Sequence, residues 1–248
     1  MRKEQLINEN WLFRYHDGTE TQVNIPHTWN NIDGQDGGDD YYRGTCVYEK
    51  DFTTPDWLKG GIIYQIFPDR FYNSGIKKEN VPIDRVMRND WGNEPEWRPT
   101  AEGKVLNNDF FGGDLIGIKE KLGYIRSLGV NTIYLNPIFK AYSNHRYDTG
   151  DYMQIDPLLG TENDLMELIL SAQKNGIKIV LDGVFNHTGD DSVYFNKYGN
   201  YNSVGAYQDK NSKYYSWYNF TDYPNEYSAW WGVETLPAIN KDNENFFD

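Results

Sequence analysis

The stretch GIKIVLDGVFNHTGD, residues 176–190, decides the fold. Its central part, from Ile177 to Phe185, is apolar and β-branched and is bounded by glycine-containing turns, which predicts a strand buried on both faces. A charge in such a strand is costly, so Asp182 must be paired or hydrogen-bonded. Asn186 and His187 follow beyond the carboxyl end of the strand, where α/β folds place their chemistry.

The strands and helices around this stretch predict a parallel sheet. GIIYQIF (61–67) and NTIYLNPIF (131–139) predict two further strands. Between them, Asp114 predicts the cap of a helix that Gly129 ends, with helically spaced apolar positions at Leu115, Ile118, Leu122, Ile125 and Leu128. Thr161 and Asp164 predict a capping box for a second helix, which carries Leu165, Leu168, Ile169 and Ala172 on one face. Repeated βαβ units of this kind form either a (β/α) barrel or a doubly wound sheet.

Composition and charge exclude several classes of protein and of binding partner. The 248 residues are 38% hydrophobic and 16% aromatic, which suits one large globular domain or two small ones. The formal net charge of −13 disfavours nucleic acid and anionic membranes, whereas a neutral ligand fits. A single cysteine, Cys46, excludes an intramolecular disulfide. No run reaches the roughly 20 apolar residues of a membrane span, and the first residues lack the apolar core of a signal peptide, so the expected location is cytoplasmic.

Two loops carry the candidate chemistry. One is the DxxxNH pattern of Asp182, Asn186 and His187, and the other is NHRYDTGDYMQIDPLLGT (144–161), predicted as a loop after the second strand. A lone histidine after a strand is more often structural than catalytic. Both loops, however, leave the same edge of a parallel sheet, and together they combine an aromatic ring with hydrogen-bonding groups. Such a mixture suits a sugar.

Several ordered motifs together resemble those of the α-amylase family of glycoside hydrolases, in its neopullulanase and cyclomaltodextrinase branch. They are YQIFPDRF (64–71), FFGGDLIGI (110–118), NTIYLNPIF (131–139), RYDTGDYMQIDPLLGT (146–161), GIKIVLDGVFNHTGD (176–190) and WGVETLPAIN (231–240). The resemblance covers roughly residues 56 to 248. It implies the N-terminal part of a (β/α)8 TIM barrel, acting on α-linked glucans with retention through a nucleophile and an acid roughly 5–5.5 Å apart.

The resemblance also implies roles for residues. As catalytic residues it implies Asp182, which would orient the arginine before the nucleophile, and His187, which would hydrogen-bond the sugar next to the scissile bond. Tyr147 would stack on that sugar and Asp148 would bind its hydroxyls. The implied substrate-binding residues are Tyr147, Asp148, His145 and Asn186.

The expected organisation has three parts. Residues 1–52 form a partial β segment, 53–189 the first part of the barrel, and 190–248 an insertion after the third strand. In the resembled family the arginine, the nucleophile and the acid follow on later strands, so we expect an inactive fragment. The aromatic residues of 194–231 suit sugar contacts, although packing of the insertion's own core is the commoner explanation.

A calcium ion is the one cofactor that the resemblance implies. Its site would map to Asn73, Gly112 and Asp114, and no organic cofactor is expected. Calcium takes six to eight oxygens. The loop NSGIKKEN (73–80) has glycine and lysines where further carboxylates would be expected, and Asp114 also reads as a plain helix cap.

The first 52 residues resemble the opening strands of the sugar-binding domain of the β-galactosidase family. The likeness rests on PHTWN (26–30) and GQDGG (34–38), and it favours packing roles for His27 and Trp29. We expect a fusion or an assembled gene fragment. Two alternatives to an α-glucan hydrolase follow, a non-catalytic carbohydrate-binding remnant and a β-galactosidase-type hydrolase. The oligomeric state stays open.

Overall fold

The computed structural model describes residues 11–15, 17–24, 47–49, 54–79, 81–243 and 246. The chain divides into two compact units, Met1–Lys59 and Gly60–Asp248. The boundaries expected at 52/53 and 189/190 stay predictions. His27, Trp29 and Cys46 lie outside the described residues.

The N-terminal unit contains a small antiparallel sheet. Its strands are β1 (Trp11–Arg14), β2 (Glu20–Val23) and β3 (Val47–Glu49), in the order β2-β1-β3. The side chain of Phe13 is fully buried and packs on Tyr48, with ring centroids 4.7 Å apart. The partial β segment expected over residues 1–52 therefore contains strands where it is described.

The second unit alternates strands and helices. In chain order its elements are β4 (Ile63–Ile66), α1 (Pro68–Phe71), β5 (Val86–Met87), β6 (Asp109–Phe110), α2 (Leu115–Glu120), α3 (Leu122–Ser127), β7 (Thr132–Leu135), β8 (Phe139–Ala141), β9 (Thr149–Ile155), α4 (Glu162–Lys174), β10 (Lys178–Leu181), β11 (Phe220–Asp222) and β12 (Glu226–Tyr227). In the described part of the chain, no helix combines the length and apolarity needed to cross a bilayer.

Three parallel strands form the sheet of this unit. Their order is β10-β7-β4, and Thr132 of β7 is in register with Ile63 of β4 and Lys178 of β10. The three predicted strands are thus neighbours, as expected. One face packs on α2, α3 and α4 through a core of Ile66, Leu115, Ile118, Leu122, Ile125, Val130, Ile133, Leu135, Ile138, Ile155, Leu159, Leu168, Ala172 and Ile177.

The predicted helix caps are confirmed, but the first predicted helix is divided into two. The carboxylate of Asp114 accepts the backbone N–H of Gly117, and Thr161 with Asp164 forms the complete capping box of α4. The predicted first helix is divided at Lys121, where the backbone turns to φ −93° and ψ 2° and the N–H bonds back only three residues, to Ile118. Gly129 ends α3 at a φ of 78°, in the left-handed region that favours glycine.

The strand β10 is shorter and more exposed than its sequence predicts. It ends at Leu181, and the side chains of Leu181 and Phe185 are 38% and 57% exposed. The prediction of a strand reaching Phe185 and buried on both faces is therefore wrong. The physical reason is that β10 is an edge strand of the described sheet, with a helix layer packed on one side only.

The segment predicted as a loop after the second strand contains a hairpin. Thr149–Ile155 forms β9, which pairs antiparallel with β8. The correction has a simple cause: TGDYMQI has strand-like spacing, and its partner β8 begins at Phe139, the last residue of the segment predicted as the second strand. The hairpin returns the chain so that the turn 142–148 lies beside the loop after β10, where Gly189 N donates to Thr149 O.

Residues beyond 190 build a second, aromatic core. Buried Tyr194, Phe195, Ala206, Tyr218 and Ile239 form it, and further aromatic side chains pack around them. The rings of Phe195 and Tyr218 meet edge to face with centroids 4.9 Å apart. Packing of the segment's own core, the commoner explanation, accounts for these residues.

Candidate active site

The two predicted loops meet at the carboxyl end of the sheet. Tyr147 Oη donates to Asp182 Oδ2 over 2.9 Å, and His187 Nε2 lies 3.1 Å from the carbonyl oxygen of Tyr147. The close approach depends on Gly189, because a Cβ there would lie 2.8 Å from the carbonyl oxygen of Asp148. The predicted cluster of His187, Tyr147 and Asp148 is confirmed.

Asp182 lies one residue beyond β10. The hydrogen bond that its carboxylate was predicted to need comes from the hydroxyl of Tyr147. The backbone N–H of Asp182 donates to Leu135 O, which fixes the residue on the sheet edge. Burial, together with the bond to Asp182, raises the pKa of Tyr147 to about 12. Tyr147 therefore stays protonated near neutral pH and holds its ring in one orientation at the edge of the sheet.

His145 presents one ring nitrogen to a ligand. The backbone N–H of Tyr147 donates to its Nδ1 over 3.1 Å, which assigns the ring proton to Nε2. Among the described residues Nε2 has no hydrogen-bond partner. Burial lowers the pKa of His145, so the ring is neutral near pH 7. A neutral Nε2–H donor suits a sugar hydroxyl.

Asp148 is held by a residue that the sequence interpretation missed. Its Oδ2 accepts the backbone N–H of Ser143 over 3.0 Å, and its Oδ1 accepts the hydroxyl of the same serine. The hydroxyl oxygen of Ser143 also lies 2.9 Å from Nδ1 of His145. One small side chain thus sets the positions of a carboxylate and an imidazole, and serine in a turn gives no sequence signal for such a role.

His187 is buried, and the protein engages both its ring nitrogens. The ring is 2% exposed, Nδ1 lies 2.9 Å from the amide nitrogen of Asn186, and Nε2 faces the carbonyl of Tyr147. Burial lowers the pKa of His187, which keeps the ring neutral. In this arrangement His187 and Asn186 join the two loops. The direct contact of each residue with a sugar stays a prediction.

The buried side chain of Arg146 holds the turn 142–148 in place. The sequence did not predict this role for Arg146. Its side chain is 1% exposed and its φ is 61°. Nη1 donates to the carbonyl of Asn144 over 2.8 Å, and Nη2 donates to Oδ1 of the fully buried Asp156 over 3.4 Å. Nε lies 3.2 Å from Oδ2 of Asp156 in an ionic contact. These contacts fix the backbone of the turn immediately before Tyr147.

A cleft of about 770 Å³ opens beside these groups. His145 and Asp148 line it from the turn, Asp190 and Asp191 from the loop after β10, and Leu236 from the segment beyond. A cleft of this size that mixes apolar and hydrogen-bonding walls can hold a small oligosaccharide.

The carboxyl of Asp191 titrates far from its ordinary range. Burial, together with the nearby carboxylates of Asp148 and Asp190, raises its pKa to about 7. Asp190 is itself bonded by the hydroxyl of Tyr198 over 2.7 Å. The motif GIKIVLDGVFNHTGD (176–190) ends at Asp190 without giving it a role, and no motif includes Asp191, because the cluster arises only when the two loops meet.

We expect Asp191→Asn to change how stability depends on pH. The folded chain holds the Asp191 proton up to about pH 7, whereas the unfolded carboxyl loses it near pH 4, so stability from this group falls as pH rises between those values. The variant should match the wild type near pH 4 and exceed it by about 1–3 kcal/mol near pH 8. Urea unfolding at the two pH values measures the difference. Asp222→Asn, at an exposed position on β11, is the control, and an equal gain in both variants would refute the assignment.

The residues predicted for calcium do not fit that ion as they stand. Oδ1 of Asp114 accepts Gly117 N over 2.6 Å, and its Oδ2 accepts Ser74 Oγ at 2.6 Å and Lys78 Nζ at 2.5 Å. The amide oxygen of Asn73 accepts Gly75 N over 2.8 Å. Within the described residues, no group of three or more acidic, histidine or cysteine side chains could hold a metal. The ammonium group of Lys78 thus already contacts the carboxylate of Asp114.

Comparisons with known proteins agree with this geometry. The family profile of the alpha amylase catalytic domain matches residues 65–246. The amylopullulanase of Thermoanaerobacterium saccharolyticum is 47% identical over 218 residues, covering 79% of this chain and 17% of that protein. The cyclomaltodextrinase of Thermoanaerobacter pseudethanolicus is 42% identical over 190 residues, covering 74% of this chain and 28% of that protein. The chain thus spans less than a third of the length of these relatives.

A solved structure of a related glycoside hydrolase is also similar to this chain. Cyclic α-maltosyl-(1→6)-maltose hydrolase from Arthrobacter globiformis, in complex with that sugar, matches with a TM-score of 0.63 and 37% identity, covering 79% of this chain and 40% of the other. The three parallel strands are accordingly part of a (β/α)8-type domain, without a closed barrel in the described residues. These matches lend no support to a β-galactosidase or to a non-catalytic remnant. The chain belongs to the α-amylase family, in the branch of the amylopullulanases, cyclomaltodextrinases and maltogenic amylases.

Proposed function

We propose that this chain carries the sugar-binding part of a retaining α-glucan hydrolase site, on a (β/α)8 barrel with residues 190–248 as the insertion after the third strand. The observation that carries the proposal is the arrangement of three groups at one sheet edge. The ring of Tyr147 is fixed on Asp182, and the Nε2–H of His145 is without a partner in the described chain. His145 and the carboxylate of Asp148 both line the cleft of about 770 Å³. A cytoplasmic location is part of the same proposal.

Each group has a chemical role toward a glucose residue. The ring of Tyr147 stacks on the apolar face of the sugar, His145 donates to a hydroxyl oxygen, and Asp148 accepts hydroxyl protons. His187 is a positioning residue here, because it holds the backbone of Tyr147. Asp182 uses one oxygen on Tyr147 and keeps capacity for a further donor, which suits the predicted role of orienting an arginine.

A row of aromatic rings extends the site. The ring of His187 stacks on Trp230 at 4.9 Å, and Trp230 stacks on Trp231 at 4.2 Å. The side chain of Trp231 is 85% exposed, and its φ of 52° is rare for a bulky residue. A strained, exposed indole at the end of such a row is a platform for a second sugar ring, so the substrate class is an α-linked gluco-oligosaccharide rather than a monosaccharide.

Tyr147→Ala tests the proposal. Loss of the stacking ring should weaken binding of maltotriose by about 10-fold, which corresponds to ~1.4 kcal/mol. Tyr147→Phe keeps the ring and loses only the bond to Asp182, so its affinity should lie between the two. Isothermal titration calorimetry measures the three dissociation constants.

The control for this experiment is Tyr124→Ala, which removes a 55% exposed tyrosine from α3. Its affinity for maltotriose should equal that of the wild type. Equal affinities for Tyr147→Ala and the wild type, at unchanged stability, would show that the sugar binds elsewhere.

A further inference from the structure

A largely buried ion pair joins the loop 73–79 to the start of α2. Nζ of Lys78 is 2.5 Å from Oδ2 of Asp114, and the two side chains are 11% and 2% exposed. A second cleft, of about 620 Å³, opens beside the pair, and Lys77, Glu79 and Asp164 also line it. The pair lies apart from the sugar site, since the linings of the two clefts share no residue.

Protein donors already occupy the oxygens that a metal ion would need. Besides Lys78, the carboxylate of Asp114 accepts from Ser74 Oγ and from Gly117 N. Asn73 is engaged at both ends, because its oxygen accepts Gly75 N and its nitrogen donates 3.2 Å to Phe111 O. A divalent ion would have to displace an ammonium that is largely removed from water, and would then find one carboxylate where six to eight oxygens are needed.

We propose that the ammonium of Lys78 is the resident cation of this site, so that the loop 73–79 is held on Asp114 without calcium. The related site that the family resemblance implied is thereby converted from a metal site into an internal ion pair. The consequence is that this chain neither binds calcium at Asp114 nor needs it for stability. The inference is independent of the proposed sugar site.

The test compares thermal unfolding in EDTA and in millimolar calcium. The melting temperature of the wild type should differ by less than about 1 °C between the two conditions. Lys78→Met leaves a buried carboxylate without its cation and should lower the melting temperature by roughly 4–8 °C in both. Lys77→Met, a substitution at the neighbouring exposed lysine, is the matched control and should leave it unchanged.

A third variant should make the stability of the chain depend on calcium. Lys78→Asp replaces the cation by a second carboxylate, and calcium should then raise its melting temperature above the value in EDTA. Two results would overturn the proposal. One is a calcium-dependent rise in the wild type that Asp114→Asn abolishes, and the other is equal melting temperatures for Lys78→Met and Lys77→Met.

Discussion

Incubated with maltoheptaose, the purified 248-residue chain should leave the sugar intact, with a rate at least about 10³-fold below that of intact relatives. Retaining hydrolysis needs two carboxyl groups flanking one bond, one as nucleophile and one as acid. At the described site, Asp182 accepts the hydroxyl of Tyr147, and Asp148 accepts the backbone N–H and the hydroxyl of Ser143. We assign both carboxylates to positioning and to binding hydroxyls, so we expect neither to attack an anomeric carbon.

Asp191 is the carboxyl that could make this expectation wrong. A pKa of about 7 is the value of a general acid, and Asp191 lines the same cleft as Asp148. The assay is therefore run with Asp191→Asn and Asp148→Asn beside the wild type, and shorter sugars are separated by chromatography. Turnover by the wild type that either variant abolishes would mean that the carboxylate pair lies within this chain.

Arg146→Met should lower the free energy of unfolding by about 3–5 kcal/mol, the largest stability effect that we expect. The substitution leaves the fully buried carboxylate of Asp156 without its nearest cation, because Arg85 lies farther away at 3.5 Å. It also removes the donor to Asn144 O that closes the turn. Since Tyr147 is the next residue, sugar affinity should fall with stability.

Urea unfolding of Arg146→Met and of Arg126→Met measures the effect. Arg126 is exposed on α3, and its substitution should change the unfolding free energy by less than about 0.5 kcal/mol. A second substitution, Asp156→Asn, should return part of the loss, because it removes the buried charge that Arg85 alone would then pair. If Arg146→Met unfolds like Arg126→Met, the buried pair does not support the turn.

Local patterns were enough to predict the sheet and its helix ends. The β-branched runs gave β4, β7 and β10, and short-range capping at Asp114 and Thr161 needs only neighbouring residues. The hairpin of β8 and β9 was missed because strand pairing depends on a partner that the local spacing of β9 does not reveal. The exposure of Leu181 was missed because it depends on what covers the sheet rather than on the residue itself.

The residues of the site also fall into a group that the sequence predicted and a group that it did not. Tyr147, Asp148 and His187 were found through motifs, and their meeting follows from parallel strand order. Arg146 and Asp191 were not found, since burial and neighbouring charge give them their properties and both arise only in three dimensions. The sequence left the calcium site open, because it could not show whether a lysine of the loop would reach Asp114, as Lys78 does.

The central claim is that one sheet edge binds an α-linked gluco-oligosaccharide. A nuclear magnetic resonance titration with maltoheptaose tests it most directly, because it reports binding and position together. We predict saturable shifts of the ring signals of His145 and Tyr147 and of the indole signals of Trp230 and Trp231, all reduced in Tyr147→Ala. Ring signals that stay unmoved while calorimetry shows the sugar bound, or shifts that persist undiminished in Tyr147→Ala, would contradict it.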